Sequence, residues 1–255
     1  MATIAVLGTF DTKGAEHAFV AERVRAAGCD ALLIDAGGFG EPTIAVDVSA
    51  EQVAQAGGVS LADLRAKRDR GTLVAAMAAG AAKLVAERAA NRKIDGIISL
   101  GGTGGTAIGT AAMRALPLGF PKVMVSTIAT AGTAASYMGG SDIVMVPSIV
   151  DVAGLNRFSR GVFARAATAV CAMAQANVES AKPASGTVAR DDDKPLIVAS
   201  MFGNTTTCVE HARKILESAG YEVLVFHATG AGGRTMESII QSGVVRISVT
   251  CGLCW

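Results

Sequence analysis

The sequence predicts an α/β protein: a doubly wound, parallel-sheet Rossmann-like domain followed by a second, incomplete Rossmann-like α/β domain. Three observations predict it. Short continuous apolar runs, such as residues 3–7 and 97–100, stop abruptly in glycines and hydroxyl residues, as strands buried on both faces of a parallel sheet do. Between these runs lie longer segments whose apolar residues recur at helical spacing. After a polar stretch at 181–194, the strand–loop–helix pattern begins again at Pro195. The organisation is therefore a domain at 1–180, a linker at 181–194 and a partial second domain at 195–255.

The first strand, residues 3–7, runs into Gly8-Thr9-Phe10-Asp11-Thr12-Lys13-Gly14 at its carboxyl end, which is where open α/β sheets bind ligands. Thr9 and Thr12 offer hydroxyls and Lys13 an ammonium for a phosphate. Asp11 could orient that lysine or hold a metal-bound water, and it is the best candidate for a catalytic group. An N-capping Asp or Thr beside an exposed lysine explains the same residues. A helix with Phe19, Val20, Val24 and Ala27 leads to Gly28 and a second strand at 31–35. Asp35 closes that strand, where a carboxylate either holds a ribose hydroxyl or caps the next turn. The segment 36–60, with its glycines and weak periodicity, reads as an excursion over the ligand-binding edge and not as core. Ser60-Leu61-Ala62-Asp63 resembles a capping box. Leu73, Val74, Met77, Ala81, Leu84 and Val85 then mark a long crossover helix, with Met77 in the core.

The third strand ends in Gly101-Gly102-Thr103-Gly104-Gly105-Thr106, ahead of a helix expected over 107–115. Glycines free this loop of Cβ atoms, so an anion can approach the backbone N–H groups. The first helical turn and its dipole favour a negative ligand, with phosphate the obvious candidate. Neither standard motif is complete. A dinucleotide fingerprint needs an acid closing the next strand, which ends instead in Ser126-Thr127, and a Walker loop needs a Lys that Ile108 to Thr110 lack. A tight glycine turn that packs a helix against its strand is the other reading. Residues 122–126 form the fourth strand, and the hydroxyl cluster Ser126-Thr127-Ile128-Ala129-Thr130 either meets phosphate oxygens or caps a short helix at 133–138. A fifth strand spans 142–146, and a long helix runs from Asn156.

The second domain repeats the scheme. Residues 195–200 are a strand, Gly203, Asn204, Thr205 and Thr206 its loop, and Thr207-Cys208-Val209-Glu210 a capping box. Residues 222–227 are the next strand, followed by a second glycine loop with Gly230, Gly232 and Gly233. Arg234 there could pair with a phosphate or carboxylate.

Charge and composition narrow the partners. Lys plus Arg number 23 against 22 Asp plus Glu, so no electrostatic grip on nucleic acid or an anionic membrane is expected. The uncharged run 96–113 is rich in glycine and threonine and fails as a membrane span. Five scattered cysteines suit a reducing cytoplasm. The acid triplet 191–193 belongs to the linker, and His17 and His211 lack ligand spacing, so no metal site is expected.

Taken together, Gly8 to Gly14, Gly101 to Thr106, Ser126 to Ala129, Met201 to Thr206 and Thr229 to Arg234 resemble the ATP-binding domain family typified by a plant tobamovirus-resistance protein. The resemblance implies two Rossmann-like domains binding ATP, with or without Mg2+, on their glycine and hydroxyl loops. It further implies a coupling to a TIM-barrel domain similar to phosphoenolpyruvate-handling enzymes, and in the plant protein an inhibitory contact with a viral replication protein. The expected function is a nucleotide-binding or regulatory module. An ATP-dependent hydrolase, ligase or phosphoryl-transfer enzyme and an NAD-binding oxidoreductase are the alternatives. The resemblance fades at about Gly243. The tail from 244, holding the lone tryptophan and two of the five cysteines, suggests a shortened or frame-shifted member whose second sheet leaves an apolar edge that homo-oligomerisation must cover or that will aggregate.

Overall fold

The structure, a computed structural model, describes residues 1–180, 194–241, 245 and 247–249. It divides into two compact units, Met1–Met138 with Asp142–Lys182, and Gly139–Ser141 with Pro183–Trp255. The expected linker at 181–193, the acid triplet included, and the tail at 250–255 lie outside the described residues.

The first unit runs β1 (Thr3–Gly8), α1 (Phe10–Ala26), β2 (Asp30–Asp35), α2 (Ala50–Ala56), α3 (Leu61–Lys67), α4 (Arg70–Ala90), β3 (Gly96–Gly101), α5 (Thr103–Arg114), β4 (Lys122–Ser126), α6 (Ala134–Met138), β5 (Val144–Pro147) and α7 (Arg157–Ser180). Its five strands pair in the order β2-β1-β3-β4-β5, all parallel. The chain winds outward from β1 to β2 and then returns to the other side of β1 as β3, so the winding reverses between β1 and β3. Ligands of open α/β sheets bind at such a reversal.

Strand periodicity divides the core between two faces. On β1, Ala5 and Leu7 point to the face covered by α2, α4 and α5, where Val53, Met77, Val85 and Ile108 are buried. Ile4 and Val6 point to the face covered by α1 and α7, with Val20, Phe163 and Val170. Alternation of this kind on every strand explains why the sequence shows continuous apolar runs.

Several boundaries differ from the sequence reading. Helix α5 begins at Thr103, four residues earlier than expected at 107, because the glycines of the loop are its first turn and Gly102 its N-cap. The fifth strand is Val144–Pro147, and Asp142 pairs instead with the wholly buried Lys122 ammonium. The segment 36–60 is not all surface: Val48, Ala50, Val53 and Ala54 are buried core, and Ser49 with Gln52 forms a reciprocal capping box that opens α2. At Ser60 the hydroxyl does accept from the Asp63 amide, at 3.4 Å.

The second unit contains β6 (Leu196–Met201), a 3-10 turn at Gly203–Thr205, α8 (Thr206–Ser218), β7 (Glu222–His227), α9 (Ala231–Gln241) and β8 (Ile247–Val249). Its strands pair in parallel in the order β7-β6-β8. The expected capping box at Thr207 falls inside α8, which starts one residue earlier at Thr206. The stretch in which the tail was expected to begin includes β8, which pairs with β6. Among the described residues, no helix is long and apolar enough to cross a membrane.

Candidate functional site

The reversal between β1 and β3 holds a cavity of about 480 Å3, within the range of small-ligand sites. Three segments build it. The β1–α1 turn contributes Thr9, Asp11, Thr12 and Lys13; the N-terminus of α5 contributes Gly102, Thr103, Gly104 and Gly105; and Gly38, Phe39 and Arg70 close it from the β2–α4 side.

At the α5 end, Gly101 and Gly105 serve contact between strand and helix. A Cβ on Gly101 would lie 2.8 Å from Gly105 Cα, and one on Gly105 would lie 3.2 Å from the Leu100 carbonyl oxygen. Gly104 differs, since the nearest atoms to a Cβ there belong to Val74 and Arg70, at 3.7 and 4.0 Å, and both residues line the cavity. Its amide and those of its neighbours in the first turn lack intrahelical acceptors, so with no acid in that turn this wall favours a negative ligand.

At the β1 end, Thr9 is the N-cap of α1, and its hydroxyl lies 3.1 Å from that of Thr12. Lys13 breaks the helical geometry (φ −134°, ψ 31°), and its ammonium donates to the Val152 carbonyl. Behind this turn, His17 is fully enclosed, its Nδ1 2.7 Å from the Lys13 carbonyl oxygen and its ring centroid 4.9 Å from that of Phe10, with the two rings tilted by 35°. Burial pushes its pKa below the ordinary histidine value.

Asp11 binds protein amides. Its Oδ2 accepts from Gly38, Phe39 and Gly40, at 3.2, 2.9 and 3.2 Å, and its Oδ1 is buried without a hydrogen-bond partner. Arg65 grips the same loop from its carbonyl side, donating to Gly38 and Gly40 at 2.9 and 3.1 Å. Asp35, 1% exposed, accepts from Phe10 and Gly37, at 3.0 and 2.8 Å, and burial raises its pKa.

The structure thus brings Thr9, Asp11, Thr12, Lys13, Gly102, Thr103, Gly104 and Gly105 to one cavity. Gly101, Asp35 and Thr106 do not line it, and Ser126 lines a neighbouring cavity. The hydroxyls of Thr106 and Ser126, both buried, bond each other at 2.7 Å, and Ser126 also accepts from Ile128. Thr127 belongs to a neighbouring cavity. Gly203, Asn204, Thr205, Thr206, Gly230, Gly232, Gly233 and Arg234 form a separate set in the second unit. Thr205 and Thr206 hydroxyls donate to the Phe202 and Gly203 carbonyls of their own turn, at 3.0 and 3.2 Å.

Arg70 and Phe39 escaped the sequence reading. Arg70 stands 5.8 Å over the Phe39 ring, which is 59% exposed at the cavity. The only signal was Asp69, whose carboxylate caps α4 and so places Arg70 at its first position. Among the described residues, no group of three or more His, Cys, Asp or Glu side chains comes together to hold a metal ion.

Fold and cavity define a Rossmann-like α/β protein with its candidate site at the switch point of the larger sheet. The chain belongs to the uncharacterised protein family UPF0261, matching the family's N-terminal domain over residues 2–179 and its C-terminal domain over residues 194–249. The second match runs past Gly243, where the resemblance was expected to fade. A UPF0261 protein of Clostridium tetani is 44% identical over 95% of this chain, and one of Rhizobium meliloti 45% identical over 96%. The chain spans 58% of the length of each. The tomato ToMV resistance protein Tm-1 is 40% identical over 69% of this chain and 23% of its own length. Among solved structures, the S. aureus MnaA-UDP co-structure aligns over 98% of this chain and 69% of its own, at 9% identity and a TM-score of 0.35.

Proposed function

We propose that the first unit binds a nucleotide of the ATP type, with its phosphates against the N-terminus of α5 and the Lys13 ammonium, and that the protein is a ligand-binding or regulatory module. The observation that carries the reading is the meeting of that helix terminus with Lys13 and Arg70 in one cavity at the switch point. Magnesium would arrive with the phosphates. The dinucleotide alternative loses support at Asp35, whose buried carboxylate serves Phe10 and Gly37 and not a ribose. The enzyme alternative, an ATP-dependent hydrolase or phosphoryl- or ligase-type step, loses support at Asp11, because its Oδ2 is committed to three backbone amides of the 38–40 loop. Such a step would draw its chemistry from a partner, either a TIM-barrel protein similar to phosphoenolpyruvate-handling enzymes or a second copy of this chain. A cytoplasmic setting, where ATP is abundant, accords with the reading.

Isothermal calorimetry with ATP and MgCl2 tests it. Wild type should bind. Lys13→Ala should weaken binding about tenfold, the effect of one charge-assisted hydrogen bond, and Gly104→Val should abolish it by filling the cavity. Unchanged affinity in both variants would remove the phosphates from this site, and binding of NAD with no binding of ATP would transfer the assignment to the dinucleotide.

A further inference from the structure

A second cavity of the first unit, also about 480 Å3, opens at the carboxyl ends of β4 and β5. Thr127, Thr130, Pro147, Ile149, Val150 and Asp151 line it. Its chemistry differs from that of the switch-point cavity: no lysine, arginine or histidine lines it, so it offers a phosphate no counter-charge. Among the described residues, the side chains of Thr127, Thr130 and Asp151 form no hydrogen bond or ion pair, which leaves two hydroxyls and a carboxylate free beside the carbon atoms of Pro147, Ile149 and Val150.

Ile149 gives the second observation. It is β-branched yet has φ +68°, a conformation that costs such a residue free energy, and it is 72% exposed. The turn is fixed there by Ser148, buried, whose hydroxyl donates to the Val150 carbonyl at 2.6 Å. A strained backbone that holds an apolar side chain out beside free polar groups is a feature of binding surfaces.

Free hydroxyls, a carboxylate acceptor and apolar carbon together match a neutral ring with adjacent hydroxyls. The ring's O–H groups would donate to Asp151 and exchange hydrogen bonds with the threonines, while its C–H face would rest on Pro147, Ile149 and Val150. The cavity also adjoins the switch-point site. A Cβ on Gly102 would lie 3.6 Å from Thr127 Oγ1, and Lys13 of the first cavity reaches the Val152 carbonyl, one residue past Asp151.

We propose that this cavity is a second binding site, for a vicinal-diol ring: the ribose of the nucleotide whose phosphates occupy the switch-point cavity, or a separate sugar held beside them. The proposal rests on the phosphate part of the reading above, and its test keeps the two apart. With the full chain, calorimetry measures inorganic tripolyphosphate and ATP, and saturation-transfer NMR measures D-ribose and D-glucose with and without tripolyphosphate. Asp151→Asn and Thr130→Val should leave tripolyphosphate binding unchanged. A loss of about tenfold in ATP affinity in these variants identifies the ribose, whereas unchanged ATP affinity with sugar saturation transfer lost in the variants identifies a separate sugar. If tripolyphosphate binds and the variants alter neither ATP nor sugar, the ring site is wrong. If wild type binds neither ATP nor tripolyphosphate, the phosphate reading fails, and the sugar measurement alone then decides the ring site: transfer that the variants abolish upholds it, and no transfer overturns it.

Discussion

Glycine does two different jobs at the β3–α5 turn, and single substitutions separate them. At Gly101 a Cβ would stand 2.8 Å from the backbone of Gly105, which cannot swing aside as a side chain can, so Gly101→Ala should lower stability by about 1–3 kcal/mol through overpacking. At Gly104 a Cβ has 3.7 Å of clearance, and alanine favours a helix more than glycine does, so Gly104→Ala should unfold within about 1 kcal/mol of wild type. Urea titrations of both variants check the contrast; equal losses would show that Gly104 also serves packing. His17 yields a prediction about pH. Burial depresses its folded-state pKa below the unfolded value of about 6.5, so the stability from its neutral form is present above that value and is lost as pH falls below it. Between pH 6.5 and 5 the loss should reach up to about 2 kcal/mol, and His17→Phe, which retains a ring on Phe10, should flatten the slope. Asp35, raised by burial, acts in the opposite direction in both proteins and cancels from the comparison. Parallel slopes for wild type and variant would show that His17 takes up no differential proton.

At the scale of the element, the loop between β2 and α2 is the part of the site that other elements determine. Its amides at 38–40 are held by Asp11 from α1 and its carbonyls by Arg65 from α3, while Gly37 and Gly38 permit the close approach, since a Cβ there would lie 2.6 Å from Asp11 Oδ1 and from Leu73 Cδ2 respectively. Amide hydrogen exchange should therefore find residues 38–40 protected in wild type and at least tenfold faster in Asp11→Ala, with the strands unaffected. Equal exchange would mean that the three hydrogen bonds do not persist in solution. The same dependence explains what was legible in the sequence. Each strand of the larger sheet lies between two helical layers, so its apolar run is continuous and could be read directly, and the turns after β1 and β3 could be placed at one sheet edge. Phe39 enters the site, and Arg65 holds its loop, by long-range packing that leaves no local pattern, whereas Arg70 is signalled locally only by the Asp69 cap. The burial of Val48, Ala50, Val53 and Ala54 was masked by the glycines and proline around them, although Ser49 and Gln52 carried the spacing of a capping box. The start of α5 is hidden in the sequence because the four glycines around Thr103 lower helix propensity, which contact with Leu100 and the sheet overrides.

For the whole molecule, the distribution of the core decides which part can stand alone. The two clusters that sandwich the larger sheet draw every residue from between Ala2 and Val178, while those of the second unit come from between Leu196 and Val245. The two candidate binding cavities described above are lined only by residues up to Asp151. A five-stranded sheet covered on both faces buries a fraction of its surface typical of independently stable domains, whereas a three-stranded sheet with two helices is close to the lower limit of size. Limited proteolysis of the full chain should therefore leave a resistant fragment near 1–180 and degrade the remainder. The fragment 1–180, expressed by itself, should unfold in one cooperative transition and bind tripolyphosphate within about twofold of the full chain, because no residue of either cavity has been removed. The converse fragment, 194–255, should show no cooperative transition. If 1–180 instead melts broadly while 194–255 folds compactly, stability in this protein arises from the second unit, and the division of the core into self-sufficient clusters is wrong.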